Sequence, residues 1–335
     1  MAPREVRQPE VAGRLATLAL ALVLAAPVAR DAVSLVLSAA FLAEFLTDGA
    51  LPALEALTPV PVRESLAPSV DRWRGAVPGL APPLLLVHGL APGGKDDARL
   101  ARAAQLLARA GFEVVVPTLP GLMRGRLRPE DTAPVVAALE TRAGPWVMVS
   151  VSIGAAPAFA AAAEARVRDR VGVLLALGPH ASAAETLRFW LTGVFDYGGA
   201  SGRVPHDPAL VRAFVDANAD LVDEATRAAL AAGDAARVER ALAGLPADVR
   251  ALLEGLSPVR ALPRVRARVI LVHGYADSAV PYTESLRLAA ARPARTTVIL
   301  LHSVGHVEGA PGPIWRTTRE GVRLWLAVHS LRHPG

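Results

Sequence analysis

The sequence predicts an α/β fold: a mainly parallel sheet with helices on both faces and a helical cap inserted over one edge. Three observations carry this. From Pro83 onward, apolar runs of about four to seven residues alternate with longer helical patterns, which is the sequence form of repeated β-α units. Between Gly178 and Pro263 that rhythm breaks, with no buried strand and a run of alanine-rich amphipathic patterns instead. A chain of 335 residues that is 52% hydrophobic also has ample material for one large core.

The elements follow in order. Residues 1–50 form a hydrophobic N-terminal segment. Its first apolar run, LATLALALVLAAPVA over residues 15–29, follows Arg4, Arg7 and Arg14 and ends at Arg30-Asp31. That run has the length of a signal-peptide core, falls short of the ~20 residues of a spanning helix, and carries no clean Ala-x-Ala cleavage site. It reads first as an uncleaved anchor or membrane-associated helix, which places the protein at a membrane or the cell envelope. The alternative is that this run and the next, residues 32–46 with Leu35, Phe41, Leu42 and Phe45 at helical spacings, pack on the domain of a cytoplasmic protein.

Residues 51–335 make the α/β domain. Its first part, residues 51–82, is proline-rich, with extended pieces at PVRESL and DRWRG that suggest an edge hairpin. Strands are expected at Leu84–His88, Glu113–Pro117, Val147–Val151, Val171–Leu177, Val269–His273 and Thr297–Leu301, with helices between them. The cap occupies about residues 179–262: an aromatic piece, LRFWLTGVFDY, a polar glycine loop, and three or four helices.

Composition excludes several classes of chemistry. There is no cysteine, so there is no disulfide framework, thiolate nucleophile or cysteine-ligated metal. The net charge of +5 comes from arginines interspersed with acids, with Lys95 the only lysine, and aromatic content is 4%. That is not a phosphate-binding or base-stacking face, so no nucleic-acid partner is expected.

Three motifs carry chemistry. In VMVSVSIGAAPA, Ser152 lies just past a strand and immediately before a helix, in the frame Ser150-Val151-Ser152-Ile153-Gly154. This approximates the Gly-x-Ser-x-Gly elbow, where the flanking positions must be nearly without side chains; Gly154 fits, and Ser150 replaces the first glycine with a small polar residue. In LLLVHGLAPGG, Leu84 to Gly94, a strand ends in His-Gly and a loop whose amides can turn inward, so that the N–H of Leu90 joins that of Ile153 as an oxyanion hole. His88 at that position is expected to order the loop rather than act as base. Near the C-terminus, VILVHGYADSAVP places Asp277 past one strand and VILLHSVGHVEG places His306 past the next.

The order Ser, Asp, His, each beyond a strand, resembles the α/β-hydrolase arrangement over residues of about 83–330, with similarity to dienelactone-hydrolase-like and peptidase-like esterases. Dienelactone hydrolases proper use a cysteine, so the resemblance is to the serine branch. It implies the α/β-hydrolase fold, with Ser152 as nucleophile, His306 as base and Asp277 as the acid that orients it. His302, at the strand end, is the alternative base.

The expected activity is cleavage of an ester, thioester or related acyl bond of a small molecule through an acyl-enzyme, with no metal or organic cofactor. The rival reading is a membrane-associated binding protein that kept the fold without the activity. Phe189, Trp190, Phe195 and Tyr197 of the cap, with Leu191 and Val194, are candidates for an acyl pocket, or else pack the cap on the sheet.

Overall fold

The computed structural model describes residues 8–75, 79–204, 206–232, 234–302, 305 and 314–334, with no side-chain detail for 8–26 and 314–317. Ten strands are present among these: β1 Val62–Ala67, β2 Val70–Arg74, β3 Pro83–Val87, β4 Glu113–Pro117, β5 Trp146–Val151, β6 Val171–Leu177, β7 Val194–Tyr197, β8 Ala200–Arg203, β9 Arg268–Gly274 and β10 Thr296–Leu301. Eight of them form one sheet in the order β1-β2-β4-β3-β5-β6-β9-β10. The β1–β2 hairpin is antiparallel and docks antiparallel on β4, whereas β4, β3, β5, β6, β9 and β10 run parallel.

Successive side chains of a strand point to opposite faces, and both faces of this sheet are buried. Leu84, Leu86, Val147, Val149, Val173, Leu175, Ile270 and Val272 join the core on one face. Their neighbours Leu85, Val87, Met148, Leu174, Ala176, Val269 and Leu271 join the core on the other. The uninterrupted apolar runs follow from this double burial.

The first face is covered by the helix Ala98–Arg109, the C-terminal helix Ile314–Ser330 and the N-terminal helix Gln8–Leu46. Of the two N-terminal apolar runs, residues 32–46 lie in that helix with Leu37, Ala40, Phe41 and Leu42 buried in the core. Polar ties fix the docking: Trp325 Nε1 donates to the Leu35 carbonyl at 2.9 Å, and Glu44 Oε2 accepts from the amides of Leu54 at 2.8 Å and Glu55 at 3.1 Å. The run over residues 15–29 is helical, and its side chains up to residue 26 lie outside the described residues. Among the described residues, no helix is long and apolar enough to cross a membrane.

Among the described residues of the region expected as the cap, the aromatic piece forms the helix Ala183–Thr192 and the β7–β8 hairpin, and after it come the helices Pro208–Ala217, Glu224–Leu230, Ala235–Ala243 and Ala247–Gly255 and a four-residue turn of helix, Pro258–Ala261. The hairpin turns at Gly198 (φ 63°) and Gly199 (φ 82°), a left-handed pair that glycine tolerates without steric cost.

Candidate active site

The site is built on the carboxyl edge of the parallel strands, where loops and helix N-termini converge. Ser152 follows β5 directly and opens the tight turn Ser152–Gly154, which leads into the helix Ala155–Ala163. Its φ is +54°, one of only two positive values at non-glycine residues among those described. A left-handed serine is strained by roughly 1–2 kcal/mol, a cost that persists where the surrounding structure imposes it.

The neighbours impose it here. A Cβ on Gly154 would collide with the His88 carbonyl oxygen, and one on Gly89 would stand 2.8 Å from the Val151 carbonyl oxygen and 3.0 Å from Ser152 Cβ. The loop after β3 and the turn after β5 are therefore packed backbone to backbone. Ser150, opposite Val87 of β3 and Ala176 of β6, is fully buried, and its hydroxyl has no hydrogen-bond partner among the described residues.

His88 braces the same loop. Its Nε2 accepts from the Leu119 amide at 2.9 Å, so Nδ1 carries the proton and donates to the Gly89 carbonyl at 2.7 Å. Burial pushes its pKa below the ordinary histidine value, and both ring nitrogens are occupied by backbone. Leu90, the next residue but one, is exposed at the loop's rim, while Ile153 is buried beside Ser152.

Asp277 stands in the loop after β9 and is 4% exposed. Its Oδ1 accepts from the amides of Ala279 and Val280, both at 2.8 Å, and its Oδ2 lies 3.3 Å from His273 Nε2. His273, at the end of β9, is completely buried. Its Nε2 donates to the Val280 carbonyl at 2.9 Å and its Nδ1 faces Ser285 Oγ at 2.8 Å. This histidine escaped sequence reading. The only signal for it was a polar residue at the end of an apolar strand, four positions before the acid.

The cap reaches the same loop. Trp190 Nε1 donates to the Ala279 carbonyl, and His206 Nε2 donates to the Ser278 carbonyl at 2.8 Å. Of the four cap aromatics, Trp190 lines a cleft beside Ile153. Phe189 is fully buried against Phe195 and His206, Phe195 also packs edge-on to Tyr282, and the Arg287 guanidinium lies 4.1 Å above the Tyr197 ring. Those three rings pack the cap and do not line the cleft.

His302 is engaged elsewhere: its Nδ1 lies 3.2 Å from Glu320 Oε1 and its ring lies 4.3 Å from that of Tyr275. His306, the expected base, lies outside the described residues. Among the described residues, no cluster of acidic or imidazole side chains is arranged to hold a metal ion.

Comparison with known proteins decides the family. Residues 82–307 match the family model described as the alpha/beta hydrolase fold. The chain belongs to that family. Among solved structures, it is similar to the Pyrococcus horikoshii acylaminoacyl peptidase at 17% identity, covering 74% of this chain and 37% of that one with a TM-score of 0.46. It is also similar to a puromycin-hydrolyzing peptidase of Mycobacterium tuberculosis, at 17% identity, 81% and 39% coverage and a TM-score of 0.49. A third is Est1E from Butyrivibrio proteoclasticus, at 14% identity, 82% and 96% coverage and a TM-score of 0.44. This chain spans about two fifths of the length of the two peptidases. No curated protein matches it. Membership in the alpha/beta hydrolase family accords with the mainly parallel sheet and its helices.

Proposed function

We propose that the protein is a serine hydrolase that cleaves an ester, thioester or related acyl bond. The observation that carries this reading is the left-handed backbone of Ser152, held between β5 and the helix Ala155–Ala163 by the close approach of Gly89 and Gly154. Strain of this kind presents a hydroxyl at the edge of a sheet, and an unreactive serine has no need of it.

Attack by Ser152 Oγ on the acyl carbon requires a base, because a serine hydroxyl hardly ionises at neutral pH. His306 takes the proton, and the amides of Leu90 and Ile153 stabilise the oxyanion. The tetrahedral intermediate collapses when His306 returns the proton to the leaving group, leaving an acyl-serine; water then enters by the same route and releases the acid. Asp277 fixes the imidazole's tautomer and stabilises the imidazolium. The two backbone donors on its Oδ1 support this role, since they hold the carboxylate in one orientation.

A fluorophosphonate probe tests the reading, since it labels only an activated serine. Wild type and Ser150→Ala are expected to label and Ser152→Ala is not. An unlabelled wild type would leave the fold as a binding scaffold.

A further inference from the structure

A cleft opens between the cap and the sheet edge, directly beside the predicted nucleophile. Its walls are Leu127, Ile153, Leu187, Trp190, Phe214 and Leu256, and the space between them, including the part open to solvent, is about 480 Å³. Ile153 is both a wall of this cleft and the residue after Ser152, so an acyl group attached to Ser152 Oγ extends naturally along it. Contacts within its lining hold the walls in place. Phe214 meets Trp190 edge-on with centroids 4.9 Å apart. Asn218 clasps the loop below, accepting from the Leu127 amide at 2.8 Å and donating to the Gly125 carbonyl at 2.9 Å.

Of the polar side chains that border the cleft, Arg128, Asp131 and Thr186 are engaged within the protein, and His180 is engaged through one ring nitrogen only, its Nδ1 having no hydrogen-bond partner among the described residues. Arg128 donates to Asp220 at 2.7 Å and to the Leu127 carbonyl at 2.7 Å. Asp131 accepts from the amides of Gly121 at 2.8 Å and Leu122 at 2.9 Å, and burial raises its pKa. Thr186 donates to the Ser182 carbonyl at 2.9 Å. His180 donates through Nε2 to the Leu256 carbonyl at 3.1 Å, and burial pushes its pKa down to about 4, so the ring is neutral at pH 7. An anionic group entering this cleft leaves water and meets no uncommitted cation among the described residues, whereas an apolar group gains from the apolar walls.

We propose that this cleft is the acyl subsite and that it selects a compact, apolar acyl group over an anionic one. The inference rests on the serine-hydrolase reading and adds to it the chemistry of the acyl half of the substrate. It also sets that substrate apart from dicarboxylic esters, whose second carboxylate has no free cation here among the described residues, since Arg128 is paired with Asp220.

The test uses the full chain and p-nitrophenyl esters. On wild type, kcat/KM is expected to rise from acetate to butyrate or hexanoate and to fall for octanoate. It is also expected to be at least about 100-fold lower for the hemiglutarate than for the neutral pentanoate, given the cost of an unpaired buried charge. Leu187→Trp, on the cap helix, moves the optimum to acetate, and Leu187→Ala moves it to longer chains. Labelling of each variant by a small fluorophosphonate shows that it is folded and that its Ser152 is still activated. Labelled variants with an unchanged chain-length profile, or a hemiglutarate cleaved as well as the pentanoate, overturn the subsite. A wild-type chain that the probe does not label overturns the hydrolase reading, and the subsite with it. The wild-type ester comparison needs no variant, so it stands if a substitution disturbs the cap.

Discussion

His273 Nε2 lies 3.3 Å from Asp277 Oδ2 while donating to the Val280 carbonyl at 2.9 Å, so one imidazole ties the acid to the loop that carries it. Ser285 Oγ, 2.8 Å from Nδ1, fixes the ring from behind. His273→Leu removes the donor to the buried Val280 carbonyl and the ring beside Asp277, and is expected to lower kcat about 10-fold, the scale of one neutral hydrogen bond, with KM little changed. His273→Gln, which restores a donor, recovers a large part of it. A rise in KM as large as the fall in kcat, or failure of Gln to rescue, would reduce His273 to a packing residue.

Asp277→Asn keeps an oxygen for the amides of Ala279 and Val280, so folding is preserved. The amide cannot hold the base in its working tautomer, and kcat is expected to fall about 10⁴-fold. Steady-state kinetics alongside thermal melting separates the two effects; turnover near wild type would move the acid to another loop.

The two serines of the elbow differ in what their removal does. Ser150 buries a hydroxyl without a partner among the described residues, so Ser150→Ala is expected to raise stability by about 1 kcal/mol and leave most activity. Ser152→Gly relieves the left-handed strain and is expected to raise stability by about 0.5–1 kcal/mol while abolishing turnover. Chemical denaturation measures both, and a destabilised Ser152→Gly would contradict the strain argument.

His180 makes stability depend on pH. Its folded pKa of about 4 lies below the unfolded value of 6.5, so between those limits the unfolded chain binds the extra proton. The contribution is fully present above pH 6.5 and is lost as pH falls toward 4, amounting to about 3 kcal/mol. Urea unfolding at pH 7 and pH 4.5 should show the loss, and His180→Asn should flatten it.

The central strands were legible because each is buried on both faces and therefore written as a continuous apolar run; all six expected strands agree with the structure within a residue at either end. The turn at Ser152 was legible because steric crowding leaves few residue types for Gly154 and Gly89. The β7–β8 hairpin was not. Its Gly198-Gly199 turn is a recognisable signal, but the returning strand, Ala-Ser-Gly-Arg, lacks apolar alternation because the hairpin lies on the cap surface. His273 was hidden for a different reason. Its partners Val280 and Ser285 come together only when the loop after β9 folds back. Arg30-Asp31, read as the end of an apolar run, sits inside one continuous helix with both side chains turned to solvent.

That helix sets the last prediction. Its second half buries Leu37, Phe41 and Leu42 in the core that also holds Leu100, Leu107 and Leu324. At roughly 1.5–3 kcal/mol for each large side chain, their loss rivals the 5–15 kcal/mol that holds a typical domain together. Deletion of residues 1–50 is therefore expected to expose an apolar face and give insoluble protein. Deletion of residues 1–26 leaves every described contact of this helix in place and should give a folded protein that labels with fluorophosphonate. If the apolar run over residues 15–29 anchors the chain, the full-length protein stays in the membrane pellet after an alkaline carbonate wash and the shorter deletion moves to the soluble fraction. Full-length protein in the soluble fraction would remove the anchor, and a soluble, active 1–50 deletion would show that Leu37, Phe41 and Leu42 are dispensable to the core.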